Sequence, residues 1–213
     1  MWLDYVYISF ILLSVLCGLF FIKKTSHISY RIFFAFLIIT FINETLCFYI
    51  KESRAGSTYP LYNVYYYIRF PILGLVYFHV YTSSIQKRIV ILFWVASVLF
   101  LAVNLFYYSG LNKLHSNYLF FGGLFVILLC LFHFYNILKM AGKRNPLRTN
   151  FFWISTGFFF FFLGMLPFYG IINLLLKNNM IFVSEYLATI KTLSILLYSL
   201  ISVDFYLNWK HQK

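Results

Sequence analysis

Glu44, Arg69 and Lys191 each stand inside a long run of apolar and aromatic residues, where a charge is costly and persists only when paired, hydrated or used. Arg69 sits in "LYNVYYYIRFPILGLVYFHVY" (61–81), Glu44 in "FINETLCFYI" (41–50) and Lys191 in "EYLATIKTLSILLYSL" (185–200). Counted from the ends of their runs, the three share one depth, about six to eight residues in, or about 10 Å at 1.5 Å per residue. Helical phase then gives each a set of companions. Lys191 shares a face with Ser184, Ser194, Tyr198 and Ser202; Arg69 with Tyr62 and Tyr65; Glu44 with Thr40, Cys47 and Lys51. Asn43, Asn63, Asn104 and Asn173 lie at similar or shallower depth and can form a rim.

This pattern predicts a binding site built from Glu44, Arg69, Lys191, Tyr62, Tyr65, Ser194 and Tyr198. Two cations against one carboxylate leave a positive balance, which suits a carboxylate, a phosphate or a lipid head group. In this arrangement Arg69 and Lys191 receive the anion, Glu44 holds Arg69, and the tyrosines wall the pocket. The same residues could instead form a closed polar network that fixes helix register, with Lys191 snorkelling towards a surface. Asp204 and Glu185, nearer the run ends, read as solvated or helix-terminus charges.

Two cofactor alternatives are present in the residue types. A lysine in the last of seven helices invites retinal on Lys191, with Glu44 as its counter-ion. His79 and His133 lie at similar depths in two runs and could ligate a haem between them. Hydrolase, metalloprotease and phosphate-loop signatures are missing from the sequence, and Glu44 is the one acidic residue well inside a run. The expectation is a protein that is not an enzyme, with no metal site.

The elements that must position these residues are set by composition. The 213 residues are 62% hydrophobic, 24% aromatic and only 10% charged, with a mean hydropathy of +0.83. That balance excludes an ordinary soluble domain and predicts an all-α, polytopic membrane protein. About 20 apolar residues cross a hydrocarbon core of roughly 30 Å. Seven runs reach that length, near 5–22, 30–50, 61–82, 89–108, 117–139, 151–176 and 184–208. The connections are short and polar, so 1–213 reads as one transmembrane domain.

Lysine and arginine alternate between the connections. One set of sides holds Lys23, Lys24, Arg31, Lys87, Arg88, Lys139, Lys143, Arg144, Arg148, Lys210 and Lys213; the other holds Lys51, Arg54, Lys113 and Lys177. Positive loops resist translocation, so the N-terminus is expected outside and the C-terminus inside a bacterial inner (cytoplasmic) membrane. The formal charge of +12 is then a fringe for anionic head groups of the lipid bilayer, and no loop is long enough to track nucleic acid. The charges of "MWLDYVYISFILLSVLCGLFFIKK" follow the apolar stretch, so the first helix is expected to be retained. Cys17, Cys47 and Cys130 have no metal or redox spacing and read as packing residues.

Pro71 and Pro167 each interrupt a helix backbone bond, freeing the carbonyls of Tyr67 and Leu163, and Pro71 predicts a bend beside Arg69. Gly157 and Gly164 fall on one face of the sixth run, and Gly122 and Gly123 open the fifth, as close helix packing requires. The run "FWISTGFFFFFLGMLPFYG" is aromatic nearly all round, so part of it faces lipid, a protein partner or a homo-oligomer.

The segments "FINETLCFYI", "YPLYNVYYYIRF", "FFWISTGFFFFFLG" and "EYLATIKTLSILLYSL" resemble small seven-helix inner-membrane proteins of Bacteroidetes-type bacteria, over nearly the whole chain. The resemblance implies a glutamate in the second helix, matched by Glu44, and a Tyr-Asn-x-Tyr sequence in the third, matched by Tyr62, Asn63 and Tyr65. The chain departs from that pattern at Arg69, where an acidic residue is expected, and at Lys191, where a histidine is. The functional expectation is a sensor or partner-directed receptor with an outward-facing pocket. The alternative is an accessory subunit of a larger membrane complex.

Overall fold

The computed structural model describes residues 2–25, 27–107, 114–140, 145–178 and 180–211, with the side chains of 104–107, 140, 171–178, 180–184 and 211 excepted. Lys113, Lys143, Arg144 and Lys213, and the side chains of Asn104, Asn173, Lys177 and Ser184, therefore lie outside the described residues. The described chain is helical: α1 (Trp2–Ile22), α2 (Ile28–Ser53), α3 (Tyr59–Val80), α4 (Ser84–Tyr107), α5 (Ser116–Met140), α6 (Phe152–Asn178) and α7 (Met180–His211), with a 3-10 turn at Pro146–Arg148.

Local chemistry sets the breaks. Arg54 ends α2 in the left-handed region, and its N–H returns to the carbonyls of Ile50 and Lys51. Pro60 falls in the first turn of α3, where its missing N–H costs nothing. Before α6, Asn145 accepts the Leu147 N–H at 3.0 Å, and Trp153 Nε1 donates to the Leu147 carbonyl at 3.1 Å.

Among the described residues, six helices are long and apolar enough to cross a membrane, and α3 is not one of them. Its tyrosines, Asn63, Arg69, Pro71 and His79 lower its hydropathy. Enclosure accounts for this, since α3 packs on α2, α4 and α5, and its side chains reach α6. The remaining helix contacts run α1 to α2, α5 to α6, α6 to α7 and α7 back to α1, closing a ring, with α4 outside it against α3 and α5. Apolar side chains cover the outer surface, including Phe20, Leu92, Val98 and Leu138, which suits a multi-pass membrane protein.

Glycines mark the closest approaches. A Cβ on Gly157 would stand 2.9 Å from the Leu197 side chain and 3.4 Å from its Cα, and one on Gly164 would meet Leu193 at 2.8 Å, so both glycines seat α7 on α6. A Cβ on Gly122 would run into the Phe70 ring. Phe70 is fully buried and adjoins Arg69, so this glycine of α5 helps set the height of the charged residue. α3 remains helical through Pro71, whose carbonyl accepts from Trp94 Nε1 at 3.1 Å.

At the end of the bundle that holds the α6 N-terminus, Asp204 is fully buried, so of the two expected roles, a solvated end or a helix-terminus charge, it is not the solvated one. Its carboxylate accepts from Tyr30 Oη at 2.8 Å, from the Trp153 N–H at 3.2 Å and from Asn208 Nδ2 at 3.0 Å. Tyr30 Oη in turn accepts the Phe151 N–H at 3.0 Å. Phe151 has φ +65°, and an α7 carboxylate thus caps α6 from across the bundle.

A cavity between five helices and its unpaired arginine

At the opposite end, where α1, α3, α5 and α7 begin and α2 and α6 finish, a cavity of about 330 Å³ opens between α1, α2, α3, α6 and α7. All seven sequence-predicted site residues line it: Glu44 from α2; Tyr62, Tyr65 and Arg69 from α3; Lys191, Ser194 and Tyr198 from α7. Aromatic and aliphatic side chains complete the wall, among them Tyr66, Phe161, Tyr169, Ile190 and Leu197. Asn63 does not line it; it is buried against the next loop, where its side-chain oxygen accepts the His115 N–H at 3.1 Å. Asn43 also lies off the cavity, with Nδ2 buried and no hydrogen-bond partner.

The ion pairing differs from the sequence expectation. Lys191 Nζ is 2.7 Å from Asp4 Oδ1, and Lys51 Nζ is 3.7 Å from the same oxygen. Asp4 went unnoticed in the sequence because it precedes the apolar core of its run and no periodic signal marks it. Its position in the first turn of α1 brings it beside the start of α7. The expected excess of two cations over one carboxylate is thereby corrected: Lys191 already has a carboxylate, and Lys51, whose side chain is 57% exposed, shares it.

The expected Glu44–Arg69 pair is corrected as well. Tyr62 Oη donates to Glu44 Oε2 at 3.3 Å, and one helical turn deeper Tyr65 Oη and Thr40 Oγ1 meet at 2.9 Å. These rungs fix the register of α2 against α3. Arg69 falls a further turn along, about 6 Å beyond Tyr65 at 1.5 Å per residue. Equal counting from the helix ends missed this offset.

Arg69 is only 7% exposed. Among the described residues no carboxylate oxygen lies within 4.0 Å of its guanidinium, and its Nε has no hydrogen-bond partner. Aromatic faces surround it instead, with Cζ 4.9 Å from the Phe162 ring centroid, 5.2 Å from Phe161 and 5.9 Å from Tyr65. Such contacts compensate a desolvated cation in part, at roughly 0.5–2 kcal/mol each. They satisfy none of its N–H groups, which leaves a donor fork facing the cavity.

The histidines are not arranged for haem. His79 is exposed on α3, whereas His133 of α5 is buried with its ring edge-on to Tyr77 of α3. A helical turn of about 200° between Tyr77 and His79 points His79 away from His133. Lys191, the retinal candidate, has its ammonium engaged by Asp4. No group of three or more His, Cys, Asp or Glu is placed to hold a metal among the described residues. The free cysteines pack: Cys130 lies 3.4 Å from Tyr77 Oη, and Cys47 lines the cavity.

No family model, curated protein or solved structure matches the chain.

Proposed function

We propose that the cavity binds a small molecule or lipid head group through an anionic group received by Arg69, and that the protein acts as a membrane sensor or partner-directed receptor. The observation that carries this reading is a guanidinium, nine-tenths buried, that lines a cavity of about 330 Å³ with no carboxylate in ion-pair reach among the described residues. A buried cation without an ion partner is costly, and a ligand anion would complete it. In this reading all seven helices span a bacterial inner membrane, with the N-terminus outside, and the cavity opens to the outer face. The lysine and arginine bias supports that orientation, since Lys23, Lys24, Lys87, Arg88, Lys139, Arg148 and Lys210 gather at the end away from the cavity.

Thermal unfolding of the purified protein in mild detergent tests it, titrated with short carboxylates, inorganic phosphate and anionic lipid. A carboxylate or phosphate should raise Tm in the native chain and fail to do so in Arg69→Gln. If no anion shifts the melting of the native chain, the receptor reading falls.

The second reading, an accessory subunit, rests on the exposed apolar flank of α4, where Leu92, Val95, Val98 and Leu99 are all more than half exposed. Stable co-elution with a much larger complex favours it.

A further inference from the structure

The same cavity presents a second charge beside Arg69. Glu44 also lines it, is partly accessible, and has no cation within ion-pair distance among the described residues; it accepts from the neutral hydroxyls of Tyr62 and Tyr7. Lys191 and Lys51 are held by Asp4, so neither is committed to Glu44. Two opposite charges therefore face one cavity without touching, with the Tyr65–Thr40 rung between them. A ligand carrying only an anion would answer Arg69 and add a second negative charge near Glu44.

We propose that the ligand is a small zwitterion: its carboxylate or phosphate binds Arg69, its ammonium binds Glu44, and an apolar body packs on the aromatic wall. This rests on the anion-binding reading above and adds the cationic half. The lining favours it. Tyr62, Tyr65 and Tyr66 flank the path from Glu44 to Arg69 with faces that suit an ammonium and hydroxyls that suit either charge, while Phe161 and Leu197 offer apolar surface. A zwitterion also leaves the cavity's charge balance as it stands, with Arg69 offset by the ligand anion and Glu44 by the ligand cation.

Two matched triads test the proposal on the full chain in phosphatidylglycerol nanodiscs: phenylalanine, 3-phenylpropionate and phenethylamine; 6-aminohexanoate, hexanoate and hexylamine. Affinity is read from Tm shifts and from calorimetry. In at least one triad the zwitterion should bind about tenfold or more tighter than its carboxylate analogue, and Glu44→Gln should bring that ratio near one while carboxylate binding survives. Carboxylates that match their zwitterions in both triads would overturn the zwitterion while leaving the anion reading intact. Silence from every compound, carboxylates included, would overturn both. Repeating the titration in phosphatidylethanolamine separates sources of the same chemistry: a zwitterion shift abolished there assigns the site to that lipid head group, and a shift that persists assigns it to a soluble ligand.

Discussion

Tyr65 Oη meets Thr40 Oγ1 at 2.9 Å, one turn deeper than the Tyr62–Glu44 contact and one turn short of Arg69. That rung lies between the partly accessible Glu44 carboxylate and the buried Arg69 guanidinium. Breaking it with Tyr65→Phe should destabilise the protein by about 1 kcal/mol, the net worth of one buried hydrogen bond, since Thr40 keeps its bond to the Phe36 carbonyl. Chemical denaturation in mixed micelles gives the value.

Arg69→Leu should leave the unliganded protein as stable as the native chain or more so, because it removes a buried, unpaired cation and keeps its volume. The same substitution should abolish any ligand-induced rise in Tm. Because no ion pair joins Arg69 to Glu44, the effects of Arg69→Leu and Glu44→Leu should add to within about 0.5 kcal/mol. A double-mutant cycle that returns a coupling well above that would show that the two charges pair in the membrane.

Asp4→Asn strands the Lys191 ammonium, whose side chain is 15% exposed. A loss of about 2 kcal/mol is expected, in the range for a hydrogen bond to a charged group. Combining it with Lys191→Met should recover most of that loss. Melting curves of the two single variants and the double variant decide the matter, and no recovery would mean that the pair is not formed.

At the other end, Tyr30→Phe removes a hydrogen bond to Asp204 and leaves the Phe151 N–H without its acceptor. The expected cost is about 1–3 kcal/mol. Hydrogen exchange at the start of α6 should quicken in this variant while exchange around Lys191 stays unchanged.

Gly122→Ala places a methyl group into the buried Phe70 ring and should cost about 1–3 kcal/mol by overpacking. Gly170 has open space around it, so Gly170→Ala should be neutral or slightly stabilising. Because Phe70 adjoins Arg69, Gly122→Ala should also weaken ligand binding without touching the cavity wall. Parallel Tm and affinity measurements separate the two effects.

The all-helical architecture was legible in the sequence because the rule behind it is local. Backbone groups in a hydrocarbon medium must bond within their own segment, so long apolar runs become helices. The convergence of Glu44, Arg69 and Lys191 on one cavity was legible too, from depth and helical phase, together with the helix-packing roles of Gly157 and Gly164. Partner choice was not. Lys191 pairs with Asp4, some 187 positions away by subtraction of their numbers, because α7 closes the ring against α1. The register of α2 on α3 is decided by the Thr40–Tyr65 and Glu44–Tyr62 contacts, and it displaces Arg69 from the carboxylate that depth counting assigned to it. Asp204 read as a solvated end or a helix-terminus charge, and the sequence could not say that the terminus is that of α6, under whose first turn α7 carries it. The sequence by itself determined that Glu44, Arg69 and Lys191 stand inside apolar runs, since that follows from the composition of each run, but not that Asp4 and Asp204 are buried. Only the tertiary structure decided which charges meet, because an offset of one helical turn, about 5.4 Å, exceeds the reach of an ion pair and no single helix records where its neighbour begins.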